Sequence, residues 1–199
     1  RLRINHLEVG LINLRTQGSA DEVLEHENFV IDGAKDDWFL AEIQFFQQQC
    51  LRRLDNMAKS TFALIETGHC FVGTLFEITL SADRSYMFID DDVDNTIELT
   101  DANNGVFRMA NGLTRLEARF PGDPDAVTNA LSEGGAMDAE TAEDLGLVTA
   151  ALDDIDWDDE VRIAVEERVS LSPDALTGME QNLRFGGIET PETKIYGRL

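Results

Sequence analysis

Several residue types are scarce, and each shortage removes a class of function. The 199-residue chain has two cysteines, four prolines and three histidines. Cys50 and Cys70 are too few for a disulfide framework, and no CxxC or His/Cys spacing offers a zinc site. His6, His26 and His69 form no metal-ligand pattern. No apolar run is long enough to span a membrane and no signal-peptide architecture is visible, so a cytoplasmic location with both thiols reduced is expected. Basic residues are scarce as well: sixteen Lys and Arg face thirty-nine Asp and Glu, a net charge of −23. Only Lys35, Lys59 and Lys194 are lysines. Such a surface repels nucleic-acid phosphates and anionic membranes, so neither is an expected partner. It gives no long-range attraction to an anionic ligand, which would have to be held by local geometry. The same balance fits a high-salt habitat, where counterions screen self-repulsion, and equally an acidic cytosolic protein. A melting temperature that rises with molar KCl would favour the first.

What is present is ordinary for a globular chain. The composition is 43% hydrophobic and 28% charged, enough to bury a core within one domain, or one domain with part of another. There is no initiator Met, Arg1 runs almost directly into a strand-like pattern, and Ile195–Leu199 ends without a polar tail. These ends read as a piece of a longer polypeptide.

Residues 7–15 are short and aliphatic, as for a strand. Trp38, Phe39, Ile43, Phe46, Cys50, Leu54 and Met57 recur at helical spacing and predict an amphipathic helix over 36–57, with these residues and Phe45 packed in the core. Thr61–Ile65 reads as a buried strand, and Gly68 and Gly73 bracket a loop before a helix over 74–82. Tyr86–Ile89 and Thr96–Leu99 read as strands joined by the acidic turn Asp90–Asn95, a solvated hairpin tip. That turn lacks the glycine and distal glutamate of a calcium loop. Beyond Gly105 helices are expected over 111–120, 124–132, 138–145, 157–169 and 173–183. Asp138 and Ser172-Pro173 supply start signals.

The stretch Thr61–Asp83 carries the clearest chemical signal. A buried strand leads through a glycine-bearing loop into a helix, which aims backbone N–H groups and the positive helix end at one spot. A thioester oxygen gaining negative charge is stabilised at such a place. The same geometry also serves ordinary packing. Cys70 in this loop is read as a buried structural thiol, since no histidine–acid arrangement accompanies it. Arg115 is read as either a phosphate contact or an exposed helix residue.

Three motifs in order resemble the crotonase (enoyl-CoA hydratase) superfamily: the strand–loop–helix with Gly68, Gly73, Glu77 and Asp83; Asn111–Leu116, a glycine turn ending in Arg-Leu; and Ala136–Val148, a helix running into Gly-Leu-Val. Asp153–Trp157, Leu171–Glu180 with Asn182–Phe185, Ala63–Glu66 and Ala82–Met87 resemble the benzoyl-CoA-dihydrodiol lyases more narrowly. The resemblance implies a crotonase-type α/β fold, a partial core over 1–122, and a helical C-terminal part over 123–199 that packs on that core or on a partner subunit. It implies the second crotonase-like half of an enzyme that opens the ring of 2,3-epoxybenzoyl-CoA, adding water and releasing formate to leave a semialdehyde CoA thioester. An aromatic CoA thioester is then the ligand, no redox cofactor or metal is needed, and a homo-oligomer is expected. The catalytic glutamates are expected in the other half. Within this chain Glu77 falls where many hydratases carry a catalytic glutamate, and Asp101 falls near their second carboxylate. Gly73 and Thr74 match the oxyanion donors, although Thr74 stands where the superfamily often has glycine. A non-catalytic scaffold of the same fold and a stand-alone hydratase are the other readings.

Overall fold

The computed structural model describes residues 5–90, 92–185, 190 and 192; Asp91 of the acidic turn and the closing Ile195–Leu199 segment lie outside the described residues. Four strands, β1 (Leu11–Leu14), β2 (Ser60–Ile65), β3 (Arg84–Phe88) and β6 (Ala150–Leu152), form a parallel sheet in the order β1-β2-β3-β6. Every residue of β2 is buried, as a central strand covered on both faces must be. Parallel neighbours require crossovers. From β1 to β2 the chain runs through α1 (Ala20–Gly33) and α2 (Trp38–Asp55), and from β2 to β3 through α3 (Gly73–Ser81).

Side chains alternate across the sheet with the period of two that strands impose. Phe62, Leu64 and Tyr86 face one side with Ala164. Ile65 and Met87 face the other, with Phe71, Phe76 and Leu116. The first side is covered by α7 (Trp157–Ser170), where Trp157, Val161 and Val165 pack. The second is covered by α3 together with α4 (Arg115–Arg119), α5 (Pro124–Glu133) and α6 (Ala139–Asp144). The last helix, α8 (Pro173–Arg184), is tied to the base of β2: Ser60 donates to Glu180 at 2.7 Å, and Thr177 donates to the Ala58 carbonyl at 2.9 Å.

Asp138 caps α6 by accepting the Thr141 N–H at 2.8 Å. Ser172 stands before Pro173 at the start of α8, but its side chain makes no capping bond. The segment after residue 122 also supplies two short strands, β5 (Ala136–Met137) and β6.

Three expectations are corrected, and one helix is an addition to them. The acidic turn does not close a hairpin: β3 joins the parallel sheet, whereas β4 (Ile97–Glu98) pairs antiparallel with β5. The helix expected over 111–120 is confined to α4, because Thr114 and Glu117 form a capping box that starts it there. An additional helix, α1, precedes α2. Finally, the buried stripe of α2 is rotated from the expected one. Leu51 and Asp55 point inward, while Trp38, Phe39, Phe45, Phe46 and Cys50 are exposed. The inward phase is fixed by the buried pairing of Asp55, so the aromatic stripe is left facing out.

Candidate functional site

Gly73 opens α3 with φ +47°, a left-handed conformation that glycine adopts without a Cβ clash. The N-cap residue Val72 has no side chain able to satisfy the free N–H groups of the first turn. A residue from another helix takes that role. Glu27 of α1 is 5% exposed, and its Oε2 accepts from both the Thr74 N–H and the Thr74 hydroxyl, the latter at 2.5 Å. Its Oε1 accepts from the Thr100 hydroxyl at 2.6 Å. A Cβ on Gly73 would stand 2.9 Å from the Glu27 carboxylate carbon, so glycine also makes room for this carboxylate.

One turn further along α3, Glu77 is 2% exposed. Its Oε2 accepts from Arg115 Nη1 at 2.5 Å and its Oε1 from Asn103 Nδ2 at 2.7 Å. Arg115 is itself fully buried. It meets Asp55 in a two-pronged pair, 2.9 Å from Nε and 2.8 Å from Nη2, and donates to the Phe107 carbonyl at 2.9 Å. Arg115 is therefore neither an exposed helix residue nor free to meet a phosphate. Burial pushes the Glu77 and Asp55 carboxyls up, with Arg115 opposing in both cases.

The short 3-10 turn Asp101–Asn104 clamps this region. Asn103 Nδ2 also donates to the Gly73 carbonyl at 3.0 Å. Asp101 is exposed at the start of the turn, and it is Asn103, two residues on, that reaches Glu77. Gly73 and Thr74 thus lie beside Glu77, while Asp101 faces solvent. Cys70 is buried, and its N–H donates to Thr16 Oγ1 at 3.0 Å. The neighbouring His69 turns its Nδ1 to the Phe71 N–H at 2.9 Å, and burial lowers its pKa to about 4.

Sequence reasoning missed Glu27, Asp55, Thr100 and Asn103. Two of them left a signal. Asp55 stands four residues after buried Leu51 and Glu27 three before buried Val30, so each occupies a core phase of its helix. A carboxylate in that phase requires a partner. Thr100 and Asn103 lie in irregular chain, where no periodicity marks them.

Asp83, which closes the strand–loop–helix motif, accepts the Thr61 N–H at 2.7 Å and pairs with Arg184 of the tail motif at 2.6 and 2.7 Å. Two resembling motifs 101 residues apart meet here to fasten α8. A cleft lined by Leu80, Asp83, Arg119 and Arg184 opens at this far end of α3. No helix among the described residues is long and apolar enough to cross a membrane.

No family model matches the chain. Over its whole length it is 50% identical to a benzoyl-CoA-dihydrodiol lyase from Aromatoleum evansii, of which it spans 36%. Solved structures with the same fold include an enoyl-CoA hydratase/isomerase from Cupriavidus metallidurans CH34, with TM-score 0.66 and 16% identity over 98% of this chain and 70% of that one. An enoyl-CoA hydratase from Bacillus halodurans matches 91% of this chain and 70% of its own with TM-score 0.61 and 17% identity. The chain accordingly has the crotonase fold and is, by sequence, a relative of benzoyl-CoA-dihydrodiol lyase that corresponds to about a third of that protein.

Proposed function

We propose that this chain acts as the non-reacting, supporting part of a benzoyl-CoA-dihydrodiol lyase that opens the ring of 2,3-epoxybenzoyl-CoA and releases formate. The observation that carries this reading is the state of the residues a reaction would need. The Thr74 N–H is taken by Glu27, and Glu77 is buried against Arg115 and Asn103. A reacting carboxylate has to reach a substrate, and an oxyanion donor has to be free to meet the developing charge. Glu77 is then the acceptor of a core ion pair, and Asp101 a turn residue. CoA enters as part of the substrate, bound elsewhere in the enzyme.

The supporting role needs a contact surface, and the outer face of α2 suits it. Trp38 and Phe45, and likewise Phe39 and Phe46, are seven residues apart and line one stripe, each at least 56% exposed. From Trp38 to Cys50 the only charged residue is Glu42, in a chain of net charge −23. A charge-poor aromatic face is where an acidic protein can be approached without repulsion. The relative extends well beyond the length matched here, and we assign the remainder of such a lyase as the occupant of this face.

Formate release from 2,3-epoxybenzoyl-CoA tests the reading. The chain alone is expected to release none. Joined to the remainder of the lyase it is expected to support turnover, and Glu77→Gln in the joined enzyme should keep kcat if it folds. Formate released by the isolated chain would overturn the proposal. Phe46→Glu should weaken association with the remainder by about tenfold or more. Unchanged association, or self-association through this face, would move the contact elsewhere or to a second copy.

A further inference from the structure

We infer that the cleft at the far end of α3 is a binding site for a small apolar monocarboxylate, with the Arg119 guanidinium as its anchor. The site lies away from Gly73 and Thr74: α3 is nine residues long, so its two ends stand about 13 Å apart. It does not depend on the supporting-part reading, and its test uses no lyase chemistry.

Three arginines line the cleft, and two of them are fully engaged. Arg115 is divided between Asp55 and Glu77. Arg184 is divided between Asp83 and the carbonyls of Met57 and Lys59. Arg119 is different. Its Nε donates to the Gly146 carbonyl at 2.5 Å, which holds the guanidinium from one side. Among the described residues neither Nη meets an acceptor, and no carboxylate pairs with the group. Burial lowers its pKa and no neighbouring acid offsets this, yet a guanidinium keeps its charge at any ordinary pH. Acids outnumber bases thirty-nine to sixteen, so the missing counterion does not reflect a shortage of carboxylates. A half-buried cation without a partner is costly, and an anion entering the cleft would relieve that cost.

The three carboxylates that line the same cleft do not fill this role. Asp55 is held by Arg115, Asp83 by Arg184, and Glu180 by Arg168 and Ser60, so each has a partner of its own. The rest of the lining selects among anions. Leu80, Ala82, Met109, Ala118 and Leu183 give apolar walls around a cavity volume of about 130 Å³. A cavity of roughly 150 Å³ holds benzene, so a carboxylic acid of about six carbons fits this one. Its two oxygens match the two Nη groups of the guanidinium fork, and its tail covers the apolar walls. Inorganic phosphate would leave those walls bare.

The measurement is a titration of the chain with sodium hexanoate at constant ionic strength, followed by NMR on the methyl groups of Leu80 and Met109. Sodium acetate and sodium phosphate serve as comparisons. Hexanoate is expected to shift these methyl resonances along a saturable curve with a Kd of about 1 mM or below. It should bind about tenfold or more tightly than acetate, which covers less of the apolar wall. Arg119→Met keeps the bulk without the charge and should abolish saturation; Arg119→Lys keeps the charge without the fork and should weaken binding. Should Arg119→Met fail to fold, Leu183→Asp addresses the same site from its mouth. Leu183 is 66% exposed, so the change spares the core, and a carboxylate placed there should repel the ligand and raise its Kd. Absence of a saturable shift with hexanoate, or a Kd unchanged by Arg119→Met or by Leu183→Asp, would overturn the proposal. Equal affinity for acetate or phosphate would overturn the assignment to an apolar acid.

Discussion

Glu27 of α1 and Glu77 of α3 bury their carboxylates beside successive turns of α3, and the protein satisfies them by opposite means. Glu77 has a cation: Arg115, shared with Asp55 and fully enclosed. Glu27 has dipoles: two hydroxyls, one backbone N–H and a helix end. In the first arrangement one guanidinium serves two carboxylates, and its removal leaves both without a cation. In the second the charge is spread over donors that are individually neutral. His69, in the loop leading into α3, shows a third way: it stays neutral, its Nδ1 accepting the Phe71 N–H.

The largest effect is expected at the cation. Arg115→Met should destabilise by about 3–5 kcal/mol in denaturant titration, because Asp55 and Glu77 are left as unpaired buried charges. Adding Asp55→Asn and Glu77→Gln should recover part of the loss. A loss below about 1 kcal/mol for the single variant would mean that the pair carries no more than a surface one.

At the dipole-held carboxylate the effect should be smaller. Glu27→Gln is expected to cost about 1–3 kcal/mol, since the amide still accepts but forfeits the charge-assisted bonds. Combined with Arg115→Met, its cost should be close to additive if the two carboxylates are satisfied independently. Strong non-additivity in that cycle would break the distinction drawn above.

The neutral histidine predicts a pH dependence. Its folded pKa of about 4 lies below the ordinary 6.5, with burial as the main cause. The folded state therefore binds fewer protons than the unfolded one between these values. Its contribution is fully present above pH 6.5 and is lost as pH falls toward 4. Allowing for its partial exposure, roughly 1–2 kcal/mol should disappear across that window. His69→Asn should flatten this part of the stability–pH curve; an identical curve would place the titrating group elsewhere.

The smallest effect on folding belongs to the outer face of α2. Phe46→Ser should leave the stability of the isolated chain within about 0.5 kcal/mol, since Phe46 is 61% exposed. A loss of several kcal/mol would show that the aromatic stripe packs within the chain, and would remove the basis for its role as a contact.

How much could be read in advance follows from the range of each interaction. β2, α2, α3 and the helices after Gly105 are written in local periodicity and in start signals such as Asp138, so they were legible to within a few residues. The pairing of β4 was not, because its partner β5 lies some forty residues away and nothing in Thr96–Leu99 specifies it. The motif residues were legible as a resemblance, but their roles were not. Asp83 turned out to fasten Arg184, and Glu77 to accept from Arg115, both through contacts with distant parts of the chain.

The sequence by itself determined the crotonase fold, the lyase kinship and the helix start at Gly73, since these depend on patterning and on motifs within a few residues of one another. Only the tertiary structure decided which face of α2 is buried, that Arg115 is a core cation, and that Glu27 fills the start of α3. The physical reason is the same in each case. A buried charge is defined by its partner, and Asp55 is 60 residues from Arg115 as Glu27 is 47 from Thr74. No local pattern records such a pairing until the chain has folded.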